Sequence, residues 1–183
     1  MKETQADLQA FRLKCYRQML LEDIQDDYAI QDYQTDAQEA QSMVTRLFAE
    51  LERPDLTLEA RADLLLTIFV ALQIGYRDPD LFARATDMAY DLLPQLAETA
   101  ESPIPNSQFD NHCLSSVARR PSSIVRCPLS VVRCQLPLLV HLFQETQDED
   151  LLPAIDLLMS TWQDNTMTEE DHYLQELFQL QFQ

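Results

Sequence analysis

The sequence predicts an all-α protein of about seven helices packed as antiparallel hairpins. Apolar residues recur at the three- and four-residue spacing of amphipathic helices along most of the 183 residues. The chain has a single glycine, Gly75, whereas hairpin turns in sheets and phosphate-binding loops both depend on glycine. Hydrophobic residues make up 46% of the sequence, which is enough for one core. We therefore treat 1–183 as a single all-α domain with a long, disordered loop near 99–136.

The first two helices are each predicted by one apolar stripe. The first stripe comprises Leu8, Phe11, Cys15, Met19, Leu20 and Ile24. The second comprises Ala40, Met43, Val44, Leu47, Phe48 and Leu51. Thr35-x-x-Gln38, in front of the second stripe, resembles a capping box, and Pro54 follows its end. Because Cys15 lies within its stripe, we expect it to be a core residue.

Residues 58–93 predict a helix, a tight turn and a second helix, which we interpret as the centre of the core. The segment 64–74 is apolar nearly all round, which is typical of a helix covered by neighbours on several sides. It is shorter than the roughly 20 apolar residues that cross a bilayer. Thr57 is the predicted N-cap, and Gly75 is placed for a left-handed C-terminal cap.

The second helix of this hairpin is predicted to begin at Asp78-Pro79, an N-cap followed by proline at the first helical position. Its apolar positions are Leu81, Phe82, Ala85, Ala89, Leu92 and Leu93. Since proline disrupts the interior of a helix, we expect the helix to end at Pro94.

Three heptapeptides in tandem interrupt the helical pattern. They are SSVARRP at 115–121, SSIVRCP at 122–128 and LSVVRCQ at 129–135, and the same phase extends back to His112. Two copies end in proline and their apolar residues are adjacent, so the period is not that of a coiled coil. We interpret 112–135 as a tandem repeat that expanded within a surface loop, where insertions are tolerated.

Three helices are predicted after the repeats. The fifth contains Leu138, Leu139, Leu142 and Phe143. The sixth follows a turn and N-cap at 148–150 and contains Leu151, Leu152, Ile155, Leu158, Met159 and Trp162. The seventh is capped by Thr168, carries three acids in its first turn, and turns Leu174, Leu177 and Phe178 inward.

The fifth and sixth predicted helices form a second hairpin that is similar to the first. An offset of 70 residues pairs Leu66 with Leu136 and Asp78 with Asp148. In the first hairpin Phe69, Leu72, Tyr76 and Ala85 match the W-x-x-L-x-x-x-Y…A skeleton of tetratricopeptide-type α-hairpin repeats, which this part of the chain resembles. It departs from that pattern at Gln73, where the family has glycine. The resemblance implies a helical-repeat architecture that binds a peptide or protein in a groove between helices.

The formal net charge of −18 restricts the partners of the chain. It disfavours direct contact with nucleic acid or with an anionic membrane surface. It favours a protein partner, in particular a basic one. The first residues form no apolar signal region and no transmembrane segment follows, so we expect a cytoplasmic protein.

His112, Cys113, Cys127 and Cys134 are of the residue types that bind zinc. Zinc sites are usually built from closely spaced ligand pairs such as C-x₂-C, which these residues do not form. All of them lie on the repeat phase, where single base changes convert arginine to cysteine or histidine. We therefore assign no metal ligand among them.

Two further pairs are of types used in catalysis or metal binding. Glu169-x-x-His172 has the spacing of di-iron helical bundles, but such a site needs two copies and additional glutamates. His141 and Glu145, four residues apart on a helix, are expected to be a surface pair. We find no nucleophile, metalloprotease or phosphate-loop motif. No catalytic, cofactor-binding or metal residue is therefore assigned, and we expect no enzyme activity.

The sequence thus favours a non-catalytic interaction or scaffold module that binds its partner through a groove between helical hairpins. The first alternative is an acidic inhibitor that imitates nucleic acid and binds a basic nucleic-acid-binding protein. The second is a helical metalloenzyme.

Overall fold

A computed structural model describes residues 5–23, 36–74, 76–99, 129–161 and 168–181. Within these ranges the chain forms seven α-helices and no strand, and a short 3₁₀ turn, Glu149–Leu151, precedes the sixth helix. The helices are α1 (Gln5–Asp23), α2 (Ala37–Leu51), α3 (Leu58–Ile74), α4 (Pro79–Thr99), α5 (Leu129–Thr146), α6 (Leu152–Thr161) and α7 (Glu169–Gln181). The predicted all-α fold is confirmed.

Helix α3 is the centre of the core, as its sequence predicts. It packs against α1, α2, α4 and α5. Ala62 and every residue from 64 to 72 are buried, whereas Asp63 is partly exposed. Only a helix with neighbours on most of its circumference buries such a continuous run.

The other helices pack around this centre. α4 contacts both α3 and α5, while α6 packs on α5. The last helix, α7, lies mainly against α1 and turns its buried Leu174 inward. Cys15 of α1 is fully buried, so the expectation of a core cysteine is confirmed.

Three predicted helix starts are confirmed by hydrogen bonds. The Oγ1 of Thr57 accepts from the amide of Ala60 at 3.2 Å. Asp78 Oδ1 accepts from the amides of the two residues that follow Pro79, at 3.0 and 3.2 Å. At α7 the cap is reciprocal: Thr168 Oγ1 accepts from the Asp171 amide at 3.2 Å, and Asp171 Oδ2 accepts from the Thr168 amide at 2.7 Å.

The predicted cap of α2 is wrong by one residue. Asp36, not Thr35, is the N-cap, because its Oδ1 accepts from the Gln38 amide at 3.0 Å. A carboxylate at this position satisfies an unpaired amide and also interacts favourably with the helix dipole. Thr35 lies outside the described residues.

Two helices are longer than predicted, and both contain a proline in their interior. α4 continues past Pro94 to Thr99. α5 begins at Leu129 and includes Pro137, so the third heptapeptide forms its first two turns and the loop expected near 99–136 ends before Leu129. Proline removes one hydrogen bond from a helix but does not end it where packing on both sides holds the backbone. Gly75, Trp162 and the remainder of that loop lie outside the described residues.

Helix α5 ends without glycine. Gln147, directly after it, has a φ of 53°. Its amide donates to the carbonyl oxygen of Phe143 at 2.9 Å, which closes the last turn. Its side-chain Nε2 donates to the carbonyl of Gln144 at 3.0 Å. These bonds hold a non-glycine residue in the left-handed region. None of the described helices combines the length and hydropathy needed to span a bilayer.

Candidate functional site

A cleft of about 660 Å³ opens between the N-terminal halves of α1, α3 and α7 and the C-terminal end of α2. Its walls mix apolar and charged side chains. The apolar contribution comes from Leu8, Leu47, Leu56, Leu64, Leu66 and Pro137. The charged contribution comes from Arg12, Arg46, Arg53, Glu50, Asp55, Glu59, Asp63, Glu170 and Asp171. The volume of the cleft lies within the range of about 300–1,000 Å³ that ligand-binding pockets cover.

The floor of the cleft is organised by Arg12. Its Nε and Nη2 donate to the two carboxylate oxygens of Glu170, at 2.5 and 3.2 Å. Its Nη1 lies 2.8 Å from Asp63 Oδ1 and donates to Thr67 Oγ1 at 2.7 Å. The guanidinium therefore joins α1, α3 and α7, with a two-pronged contact that suits its planar geometry.

The charge of Arg12 is fixed by these partners. Burial by itself lowers the pKa of Arg12, but the hydrogen bond to Glu170 and the charges of Glu170 and Asp63 outweigh it and raise the pKa. The Arg12 side chain is 5% exposed, whereas those of Asp63 and Glu170 are 18% and 11% exposed. Of this cluster, the two carboxylates are thus more exposed than the guanidinium between them.

The rim of the cleft holds a second arginine with two acids. Arg53 forms ion pairs with Glu50 and with Asp55, the latter at 2.6 Å. Its carbonyl oxygen accepts from Arg61 Nη2 at 3.2 Å, which ties the α2–α3 connection to the first turn of α3. Glu59, one turn further along the rim, makes no ion pair with any residue in the described part of the chain.

A second polar cluster lies within the core rather than in the cleft. The hydroxyl of Tyr16 lies 3.1 Å from His141 Nε2, and His141 Nδ1 lies 2.7 Å from Gln73 Oε1. Gln73 Nε2 donates to the carboxylate of Glu145 at 2.9 Å. Because a carboxylate only accepts, the amide nitrogen of Gln73 faces Glu145 and its Oε1 faces His141. The imidazole proton therefore lies on Nδ1, which donates to Gln73. Nε2 of His141 carries no proton and accepts from the Tyr16 hydroxyl. The cluster links α1, α3 and α5.

Burial sets the protonation of this cluster. It is the main reason why the pKa of His141 falls to about 3, and the positive charge of Arg12 adds to the effect. Burial also raises the pKa of Tyr16 well above its usual value, and the charge of Glu170 acts in the same direction. Tyr16 and His141 are therefore both neutral around pH 7, and their rings stack with centroids 5.8 Å apart. We read the cluster as structural, because both side chains are fully buried.

The expectation that His141 and Glu145 form a surface pair is wrong. His141 is fully buried and bonds to two other helices, while Glu145 is exposed and accepts from Gln73. The prediction failed because helix periodicity places His141 on the same face as the apolar residues around it. The hydrogen bonds to Tyr16 of α1 and Gln73 of α3 make that buried position tolerable.

The metal candidates are not brought together in the part of the chain that is described. Glu169 forms an ion pair with Arg17, and His172 is exposed. No group of three or more potential ligands occurs within the described ranges. His112, Cys113 and Cys127 lie outside those ranges, as does the side chain of Cys134.

The residues of the cleft floor were not identified from the sequence. The available signal was a charged residue within an apolar stripe: Arg12 lies four residues after Leu8 and four before Tyr16, on the face that α1 turns inward. Its partners lie 51 and 158 residues away, and no local pattern points to them. Comparisons of the chain with family models, curated proteins and solved structures found no match.

Proposed function

We propose that this protein is a non-catalytic interaction module that holds a segment of a partner protein in the cleft between α1, α2, α3 and α7. The observation that carries the proposal is the cleft itself, about 660 Å³ in volume and walled by four helices. Its walls offer leucine side chains beside charged ones, which suits the mixed chemistry of a polypeptide.

The helical hairpins support the same proposal. α3 packs with α4 and α5 packs with α6, and α5 also contacts both helices of the first pair. Asp78 caps α4, and Asp148 caps the 3₁₀ turn that precedes α6. The resemblance of the first hairpin to tetratricopeptide-type repeats implies peptide binding between helices. The cleft lies beside the first hairpin, against α3.

Selection from a random dodecapeptide display library on the immobilised protein tests this function. We expect enriched peptides that bind with micromolar affinity. Ala60 lines the cleft, so Ala60→Trp should fill it and abolish binding. Ala83 is exposed on α4 and does not line the cleft, so Ala83→Trp is the matched control and should bind normally. Enriched peptides that bind the Ala60→Trp variant as well as the wild type would reject the proposal.

The net charge of −18 favours a second candidate, an acidic inhibitor that binds a basic nucleic-acid-binding protein. Such a partner would engage rows of carboxylates on the outer surface rather than a cleft. Its binding would therefore be unaffected by Ala60→Trp and would be competed by DNA. Ala60→Trp should therefore abolish partner binding under the first function and leave it unchanged under the second.

A further inference from the structure

We propose that the cleft receives a basic side chain, arginine or lysine, of the partner segment, and that Asp63 and Glu170 bind it at the floor. This inference rests on the proposed function and specifies the chemistry of the partner. Three features support it: the balance of charge in the cleft, the saturation of two of its three arginines and the exposure of its carboxylates.

The cleft carries a surplus of negative charge. Six carboxylates and three arginines line it, a formal net charge of −3. At the floor, Arg12 is the one cation among the described residues that pairs with both Asp63 and Glu170, and the buried Asp171 follows Glu170 in the chain. One guanidinium cannot balance these carboxylates. An incoming cation gains from the remaining negative charge in a partly desolvated place, where such attraction is stronger than in water.

Two of the three arginines of the cleft, Arg12 and Arg53, are poorly placed to bind an anion. Four of the five N–H groups of Arg12 are accounted for by bonds to Glu170, Asp63 and Thr67. Arg53 is held between Glu50 and Asp55. Each carboxylate, by contrast, has lone pairs beyond those that Arg12 uses, and both Asp63 and Glu170 are more exposed than the guanidinium between them. The cluster therefore offers acceptors to a ligand, and few donors.

The N-termini of α3 and α7, which border the cleft, do not reverse the preference for a cation. The beginning of a helix usually attracts anions. Here Thr57 and Thr168 already accept from amides in those first turns. The first turns also carry Glu59 in α3 and three acids in α7, which repel an anion. The ligand that complements both the floor and the rim is a cation.

Titration of ¹⁵N-labelled full-length protein with N-acetyl-arginine amide, followed by NMR, tests the inference. We expect saturable shift changes concentrated at 59–64 and 169–171. N-acetyl-citrulline amide has nearly the same shape without the charge and should produce no saturable change. Shifts of equal size with citrulline, shifts elsewhere on the protein, or none at all would overturn the proposal.

Charge-removing variants sharpen the test. Asp63→Asn should weaken arginine-amide binding about tenfold or more, as loss of a charge-assisted contact does. Glu59→Gln, at the exposed rim and without an ion pair to any residue of the described ranges, should weaken it only about threefold. Asp87→Asn removes the same charge from exposed α4 and should change binding less than about twofold. If Asp63→Asn proves unstable, the comparison of Glu59→Gln with Asp87→Asn still decides: equal effects would contradict the proposal.

The inference and the proposed function fail separately. Display peptides without arginine or lysine that are blocked by Ala60→Trp would uphold the interaction module and reject the basic ligand. Arginine-amide binding at the cleft, together with display peptides that ignore Ala60→Trp, would uphold the basic site and reject the module.

Discussion

His141 lies fully buried between Tyr16 and Gln73, with its pKa lowered to about 3. In the unfolded chain the imidazole is exposed and its pKa returns to 6.5. Between these values the unfolded state binds a proton that the folded state does not. The contribution of His141 to stability is therefore complete above pH 6.5 and is lost progressively as the pH falls toward 3.

The first prediction follows from this difference. Between pH 7.5 and pH 5.5 the free energy of unfolding should fall by about 1.4 kcal/mol on account of His141. The His141→Gln variant lacks this titration, so its stability should fall by that much less over the same interval. Urea denaturation at the two pH values measures both. Parallel losses in the two proteins would show that the imidazole is protonated in the folded state.

Arg12 gives the second prediction. Arg12→Met leaves the carboxylates of Asp63 and Glu170 without their shared cation, and breaking a buried ion pair in this way costs about 3–5 kcal/mol. Adding Glu170→Gln should restore part of the loss, because it removes one uncompensated charge. Arg84→Met is the control: Arg84 is exposed and contacts Glu52 at 3.4 Å, so it should cost about 1 kcal/mol or less. Equal losses at the two arginines would contradict this account of the floor.

α3 packs against four helices, and the third prediction concerns its side chains. Phe69 and Leu72 are fully buried, so Phe69→Ala and Leu72→Ala should each cost about 2–5 kcal/mol. Leu158→Ala, in the buried face of α6, should fall in the same range. Ser42→Ala on the exposed face of α2 should change stability by less than about 0.5 kcal/mol. Chemical denaturation that found a similarly small loss at Phe69 would show that α3 is not central.

Local chemistry made most of these elements predictable. Thr57, Asp78 and Thr168 cap their helices because a side-chain oxygen beside the first free amides is a short-range arrangement that sequence records directly. Pro94 indicated a helix end, although packing against neighbours outweighs the one hydrogen bond that it removes. The start of α5 was missed because its first two turns carry the pattern of the heptapeptide repeat.

The cleft could not be predicted in the same way. Each of its charged residues has an ordinary local setting: Asp63 lies near the start of a helix and Glu170 in a first turn, where acids are expected. These residues meet around Arg12 because of the way in which α1, α3 and α7 cross. That arrangement is a product of core packing and has no signature at any fixed spacing.

For the molecule as a whole, the fourth prediction compares the first two heptapeptides with the third, which forms the start of α5. Deletion of 115–128 removes two heptapeptides and leaves all of α5, so helical content should persist. Shortening a connection by 14 residues changes its closure entropy by under about 1 kcal/mol. Deletion of 122–135 is equally long but removes the first two turns of α5 and puts Pro121 at the buried position of Gln135.

We expect the second deletion to lower the thermal midpoint markedly and the first to change it by only a few degrees. Circular dichroism melting curves of the two deletions compare them directly. A loss of cooperative unfolding in the deletion of 115–128 would show that the first two copies have become part of the folded core.

The hydrogen bond between Tyr16 and His141 also disfavours an incorrect packing of the helices. α3 and α5 are similar apolar helices, and a chain that exchanged them would still bury leucine against leucine. At the offset of 70 residues, however, His141 corresponds to Ala71, which has no acceptor. The exchanged arrangement would bury the Tyr16 hydroxyl unpaired, at a cost of about 1–3 kcal/mol. A few polar atoms inside the core thus disfavour the exchanged pairing by a factor of about 5 to 150, a discrimination that apolar contacts alone do not provide.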